Sequence, residues 1–367
     1  MKKKLENRKN NKSIIVSTLI FVITFIAMAG YLIYFNLTQA ESIINNSYNK
    51  RQGVLSRRTI RGSILSDDKT KLAVTNVDDD GNETRYYPYS GLFSHTIGYL
   101  NNGGYGLESL YGYYMLHSNQ NFFEQIGNDL SGNRNTGDNV VTTLNVGLQK
   151  ACYDALGSNR GAVIVMEPST GKILAMVSKP DFDPNTLAAN WSQITGEGSD
   201  SVLVNRATQG LYPPGSTFKL ITMLEYLREH KNDYGQYHYI CDGTYELGNN
   251  TINCVRTTAH GDVDLFSSLA VSCNCSFINI GLSLDLDRYK KTAEKMLFNK
   301  ELPTNLEYNK SRFVLNGESS EWDIAQTSFG QGKTVITPFH LALITCTIAN
   351  NGTLTKPYLV SSVESTN

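Results

Sequence analysis

The stretch LYPPGSTFKL, residues 211–220, sets a serine hydroxyl and a lysine amine three positions apart. A serine hydroxyl is a weak nucleophile until a base takes its proton. A lysine can be that base once burial or positive neighbours lower its pKa. Pro213 and Pro214 fix φ and keep the chain out of helix before the serine. Gly215 lets the backbone turn with no side chain in the way. Ser216 is then expected in the first helical turn, with Lys219 one turn on along the same face. A helix N-terminus disfavours a charged lysine and stabilises negative charge developing on the serine or on an oxyanion. The bland alternative is a helix-capping serine followed by an exposed lysine.

Ser-x-x-Lys alone carries little, because the chain holds four copies: Ser47/Lys50, Ser66/Lys69, Ser169/Lys172 and Ser216/Lys219. The first falls in a polar stretch and the next two in expected turns. Only the fourth stands at the start of a helical pattern. Ser-x-Asn also recurs, at Ser47/Asn49, Ser131/Asn133, Ser272/Asn274 and Ser365/Asn367. Of these, only Ser272 follows an amphipathic helical segment. The alternative for Ser272–Asn274 is a polar bend between two helices.

The elements that must position these residues read as follows. TIRGSILSDDKTKLAVT alternates around a turn-prone centre and predicts a β-hairpin. Residues 78–140 are rich in Gly, Asn, Asp and Tyr, as in a small loop-rich domain. Thr143 or Asn145 can cap a helix that Gly157 ends. GAVIVMEPSTGKILAMVSKP places two apolar runs around Pro168 and Gly171, predicting a hairpin buried on both faces. After residue 216 helical patterns dominate, so strands first and helices after give an α+β fold. The division expected is a cytoplasmic tail and anchor at 1–37, a stalk and small loop-rich domain at 38–143, and a second, α+β domain at 144–367.

The chain has 367 residues, which suits two folded domains, and its 40% hydrophobic content is enough for a core. A formal net charge of −1 argues against a broad nucleic-acid footprint. Residues 13–37 carry no charge and follow the basic MKKKLENRKNNK. That pattern predicts an uncleaved membrane-spanning helix with its N-terminus in the cytoplasm and everything after residue 37 outside. A cleaved signal peptide ending at TQA is the alternative, and the apolar run is long for one. Six cysteines are present. Cys241 and Cys254 are the best-placed pair for a disulfide, with unpaired core residues as the alternative. A zinc site is set aside for want of a second CxxC-type pair or a His pair at suitable spacing, and neither metal nor cofactor is assigned.

NRATQGLYPPGSTFKLIT resembles the active-serine segment of class B penicillin-binding proteins, the membrane-anchored D,D-transpeptidases that cross-link peptidoglycan. The likeness runs along the chain in family order. RTIRGSILSDDKTKLAVT is similar to the start of their pedestal domain, and RGAVIVMEPSTGKILAMVSKPDFDPN to their first catalytic strands. SLAVSCNCSFINIG is similar to the segment bearing their Ser-x-Asn motif, and TSFGQGKTVITPFHLALITCTIANNGTLTKPYLV to the stretch before their last motif. The resemblance implies a pedestal within 38–143, a transpeptidase domain at 144–367, Ser216 as the acylated nucleophile and Lys219 as its base. It implies that Ser272 relays a proton and that Asn274 binds substrate backbone. It also implies stem peptides ending in D-Ala-D-Ala as substrates, β-lactams as ligands and a wall glycosyltransferase as a partner.

The pattern departs from the family at its third motif, Lys-Thr/Ser-Gly. GKTVITP offers Lys333 and Thr334, but Val335 stands where glycine should, so Lys333 is expected to be a decoy. The 367 residues are therefore expected to be a truncated product with an incomplete sheet and impaired activity. A non-catalytic scaffold of the wall-synthesis complex, and a serine β-lactamase or β-lactam sensor, are the competing functions.

Overall fold

The computed structural model describes residues 2–38, 56, 59–119, 121–196 and 199–366. Lys2–Thr38 is one helix of 37 residues. Within it, Ile14–Phe35 has a mean hydropathy of 2.3, and none of it is buried against the rest of the protein. At 1.5 Å per residue these 22 residues reach about 33 Å, enough to cross a bilayer core. The hydroxyls of Thr18 and Thr24 donate to carbonyls one turn back, at 2.9 and 2.8 Å, which satisfies these two polar groups within the apolar helix. Among the described residues this is the one helix long and apolar enough to span a membrane. The stalk expected next lies mostly at residues 39–55, outside the described ones. So do Ser47, Asn49, Lys50 and Asn367.

The expected hairpin forms: Ile64–Leu65 pairs antiparallel with Lys71–Val77, Ile64 opposite Ala73. It belongs to a five-stranded sheet ordered Val360–Glu364, Asn139–Thr142, Ile64–Leu65, Lys71–Val77, Glu83–Tyr86. The first of these strands comes from far down the chain and pairs antiparallel with Asn139–Thr142. A division in sequence at residue 144 is therefore one that the sheet itself bridges. Beneath the sheet, Glu108 is fully buried between two guanidiniums, 2.9 Å from Arg61 Nε and 2.7 Å from Arg85 Nε.

Asn145 caps the helix Val146–Leu156, accepting from Leu148 N–H at 2.9 Å. Thr143, the other candidate, instead donates its hydroxyl to the Ile173 carbonyl at 2.6 Å. The hairpin of Gly161–Met166 and Ile173–Lys179 also forms. Its burial is unequal. Ile173–Lys179 lies mostly in the core, whereas every residue of Gly161–Met166 is half-buried. The reason is pairing: among the described residues Gly161–Met166 has the other hairpin strand as its sole strand partner. One apolar core runs from Ile64, Leu72 and Val140 of the pedestal through Ile173 and Met176 to Phe339 and Leu343 of the helix Pro338–Ala349. A second, built on Phe218, Phe277, Tyr289, Phe298 and Phe313, gathers the helices that carry the candidate site.

Candidate active site

Gly215–Phe218 form a 3-10 turn that runs directly into the helix Lys219–Glu229. The proline pair delays the helix as expected, but the serine sits in the tighter turn before it. Gly215 has φ +61°, a left-handed conformation that a side chain would strain. Its N–H donates to the Gly330 carbonyl at 2.7 Å. The two backbones are so close that a Cβ on Gly330 would stand 1.8 Å from the Gly215 oxygen. The SFGQG loop thus braces the serine turn, a contact no local sequence signal announced. Phe218 is the turn's anchor, edge-on to Phe298 with ring centroids 5.6 Å apart. With Phe218 driven inward, Ser216 is left exposed on the surface.

Lys219 points the other way and is wholly buried. Its Nζ lies 2.7 Å from the Ser272 carbonyl oxygen, 2.9 Å from Ser272 Oγ, 2.8 Å from Asn274 Oδ1 and 3.4 Å from Ser216 Oγ. The four residues named from the sequence therefore converge on one nitrogen. The exposed-lysine alternative is excluded by that burial. Burial pulls the Lys219 amine down to about 8, against an opposing pull from the thiols of Cys273, Cys254 and Cys275. A neutral amine has two hydrogens and one lone pair. If the hydrogens go to the Ser272 carbonyl and to Asn274 Oδ1, the lone pair is left facing the hydroxyls of Ser216 and Ser272. That is the geometry of a base between two alcohols.

Ser272 holds its place at a bend, with φ +53°. The bend follows the helix Leu265–Ala270, whose N-terminus is closed by a reciprocal Asp264–Ser267 capping box. It precedes the helix Asn274–Ser283, which Cys273 caps through its sulfur. Asn274 donates its amide hydrogens to the Asn253 carbonyl at 3.0 Å, fixing which side of the amide faces the lysine. Lys333 is exposed and pairs with Asp323 at 3.1 Å on the surface. Of the other Ser-x-x-Lys copies, Ser66 hydrogen-bonds Asp68 while Lys69 pairs with Glu364.

The cysteines differ from expectation. All six are free thiols, and the sulfurs of Cys241 and Cys254 lie 3.8 Å apart, too far for the disulfide expected between them. They instead gather with Cys273, Cys275 and His260 directly behind Ser272–Asn274.

Residues 161–367 match the profile of the penicillin binding protein transpeptidase domain, and residues 61–140 that of the penicillin binding protein A dimerisation domain. Among curated proteins, the chain is 32% identical over 305 residues to the peptidoglycan D,D-transpeptidase PbpA of Mycolicibacterium smegmatis, covering 77% of this chain and 60% of that one. It is 28% identical over 323 residues to the peptidoglycan D,D-transpeptidase MrdA of Acinetobacter baumannii, covering 76% and 47%. The chain thus spans about half to three fifths of the length of these relatives. Among solved structures, the imipenem acyl-enzyme complex of penicillin-binding protein A from M. tuberculosis superposes with TM-score 0.75 at 29% identity, covering 84% of this chain and 74% of that one. The D,D-transpeptidase domain of a peptidoglycan glycosyltransferase from Eggerthella lenta gives 0.73 at 31%, covering 83% and 73%.

Proposed function

The chain belongs to the penicillin-binding protein transpeptidases, and from that premise we propose that it is a serine D,D-transpeptidase working through Ser216. The observation that carries this reading is the buried Lys219 nitrogen, in reach of Ser216 Oγ, Ser272 Oγ and Asn274 Oδ1 at once. Ser216 Oγ attacks the carbonyl between the two D-Ala residues of a stem peptide, and its proton passes to Lys219. The tetrahedral intermediate collapses to an ester on Ser216. Free D-Ala departs with a proton returned from Lys219 through the Ser272 hydroxyl. An amine from a neighbouring peptide then attacks the ester and frees the serine. A β-lactam enters the same course, since opening its ring amide leaves an ester on Ser216. The penicillin-binding protein A of M. tuberculosis has been captured as such adducts with imipenem and penicillin G.

The helix containing Ile14–Phe35 would tether this chemistry to a membrane, with the preceding lysines and arginines holding the N-terminus in the cytoplasm and the serine on the opposite side. The test is labelling of the full chain with a fluorescent penicillin. A stable covalent label that disappears in Ser216→Ala is the expected result. Label persisting in that variant would overturn the assignment, and rapid release of hydrolysed antibiotic would point to a β-lactamase instead.

A further inference from the structure

Directly behind the Ser272–Asn274 bend, four thiols and one imidazole gather, and three of the thiols can share one centre with the imidazole. Cys241, Cys254 and Cys273 are almost fully buried, and His260 is half-buried. One ligand atom from each lies within 4.8 Å of all the others. The individual separations carry information. Cys241 and Cys254 sulfurs are 3.8 Å apart, Cys254 and Cys273 sulfurs 3.8 Å, and Cys241 Sγ to His260 Nδ1 3.4 Å. With zinc–sulfur bonds of about 2.3 Å and zinc–nitrogen of about 2.0 Å, a tetrahedron has edges of about 3.8 Å between sulfurs and about 3.6 Å between sulfur and nitrogen. These three spacings lie close to those edges, whereas Cys275 Sγ, 3.4 Å from Cys254 Sγ, falls outside the set of four ligand atoms that all lie within 4.8 Å of one another. The sulfur–sulfur distances are far longer than a disulfide, at about 2.05 Å. Besides one another and His260, the sulfurs meet a backbone donor, the Ser276 N–H, which donates to Cys273 Sγ at 3.3 Å. Three sulfurs and one imidazole nitrogen in this geometry suit zinc rather than magnesium or calcium.

The ligands come from three places in the chain: the strand His238–Cys241, the segment around Cys254 and His260, and the bend. Their neighbours are the groups around the lysine. Cys273 lies between Ser272 and Asn274, which supply three of the oxygens around Lys219 Nζ. Cys254 follows Asn253, whose carbonyl holds the Asn274 amide. We infer that Cys241, Cys254, Cys273 and His260 bind one zinc-class cation, and that the cation positions the Ser272–Asn274 segment against Lys219. The ligands are positioning residues, since none of them is among the hydrogen-bond partners of Lys219 Nζ.

The first clause is independent of the function proposed above, while the second rests on it, and two measurements separate them. Cobalt(II) titrated into the metal-stripped full chain is expected to give, at one equivalent, the intense visible bands and the thiolate-to-cobalt absorption of a tetrahedral site. Those bands are expected to be lost in Cys241→Ser and His260→Ala and kept in Cys275→Ser. Absence of the bands from the wild-type chain overturns the site, and their loss in Cys275→Ser overturns this ligand set. For the second clause, chelation is expected to slow acylation by fluorescent penicillin about 10–100-fold, with recovery on adding zinc. An unchanged rate in the stripped protein, with the cobalt bands present on refilling, overturns the positioning role alone.

Discussion

Glu108 in the pedestal and Lys219 at the candidate active site are both buried ionisable groups, and the protein treats them in opposite ways. In the pedestal, burial alone would push the Glu108 carboxyl up, but the guanidiniums of Arg85 and Arg61 more than reverse it and hold it below its usual range. At the candidate active site, Lys219 meets a carbonyl, two hydroxyls and an amide oxygen, with no carboxylate among its hydrogen-bond partners. Dipoles alone offset desolvation less well than an opposite charge does, so the lysine drifts towards neutrality. The first arrangement fixes a charge for structure. The second leaves a proton free to move.

The comparison breaks most visibly if its two central residues are interchangeable in effect. Lys219→Ala should cut the rate of acylation by fluorescent penicillin about 10²–10⁴-fold, as removal of a general base does, while the melting temperature changes little. A variant that acylates normally would remove the lysine from the mechanism. Glu108→Gln should do the reverse. It strands two buried guanidiniums and should lower stability by about 3–5 kcal/mol, read by chemical denaturation, with acylation per folded molecule unchanged. Unaltered stability would mean that the pedestal does not depend on the charge.

A smaller effect sharpens the contrast. With its amine at about 8, roughly one Lys219 in ten is neutral at pH 7, against about three in ten thousand for an unshifted lysine. The direction follows: the neutral form grows as pH rises, so acylation should climb about tenfold per unit below pH 8 and level off above it. A flat profile from pH 6 to 9 would contradict this. The smallest effect expected is at Lys69, whose pair with Glu364 is half-exposed on both sides. Lys69→Ala should cost less than about 1 kcal/mol by the same denaturation assay, because water screens what burial would magnify.

The sequence announces what is local and conceals what is long-range. Pro213, Pro214 and Gly215 mark the serine turn because proline fixes its own φ while glycine alone adopts a left-handed one freely. Asn145 and Gly157 delimit a helix by equally local means, a side-chain cap at one end and a left-handed residue at the other. Ser272 and Asn274 emerge only from their order relative to Ser216, because a Ser-x-Asn bend has no distinctive chemistry of its own. Gly330 is one of 30 glycines, and nothing in its neighbours reveals that Gly215 packs against its backbone. The thiol cluster is hidden likewise. Cys241, Cys254, His260 and Cys273 lack the short paired spacing by which sequence flags a metal site, since separate segments bring them together. The unequal burial of the 161–179 hairpin was illegible because two apolar runs look alike whether their strands are central or at an edge.

The pairing of Val360–Glu364 with Asn139–Thr142 has a mechanical consequence. The segment that carries the candidate site leaves and returns through adjacent strands, like a lariat gathered at its neck. Tension applied along the tether would reach both ends of that loop together and shift it as one body, leaving the spacing between the serine and its lysine undisturbed.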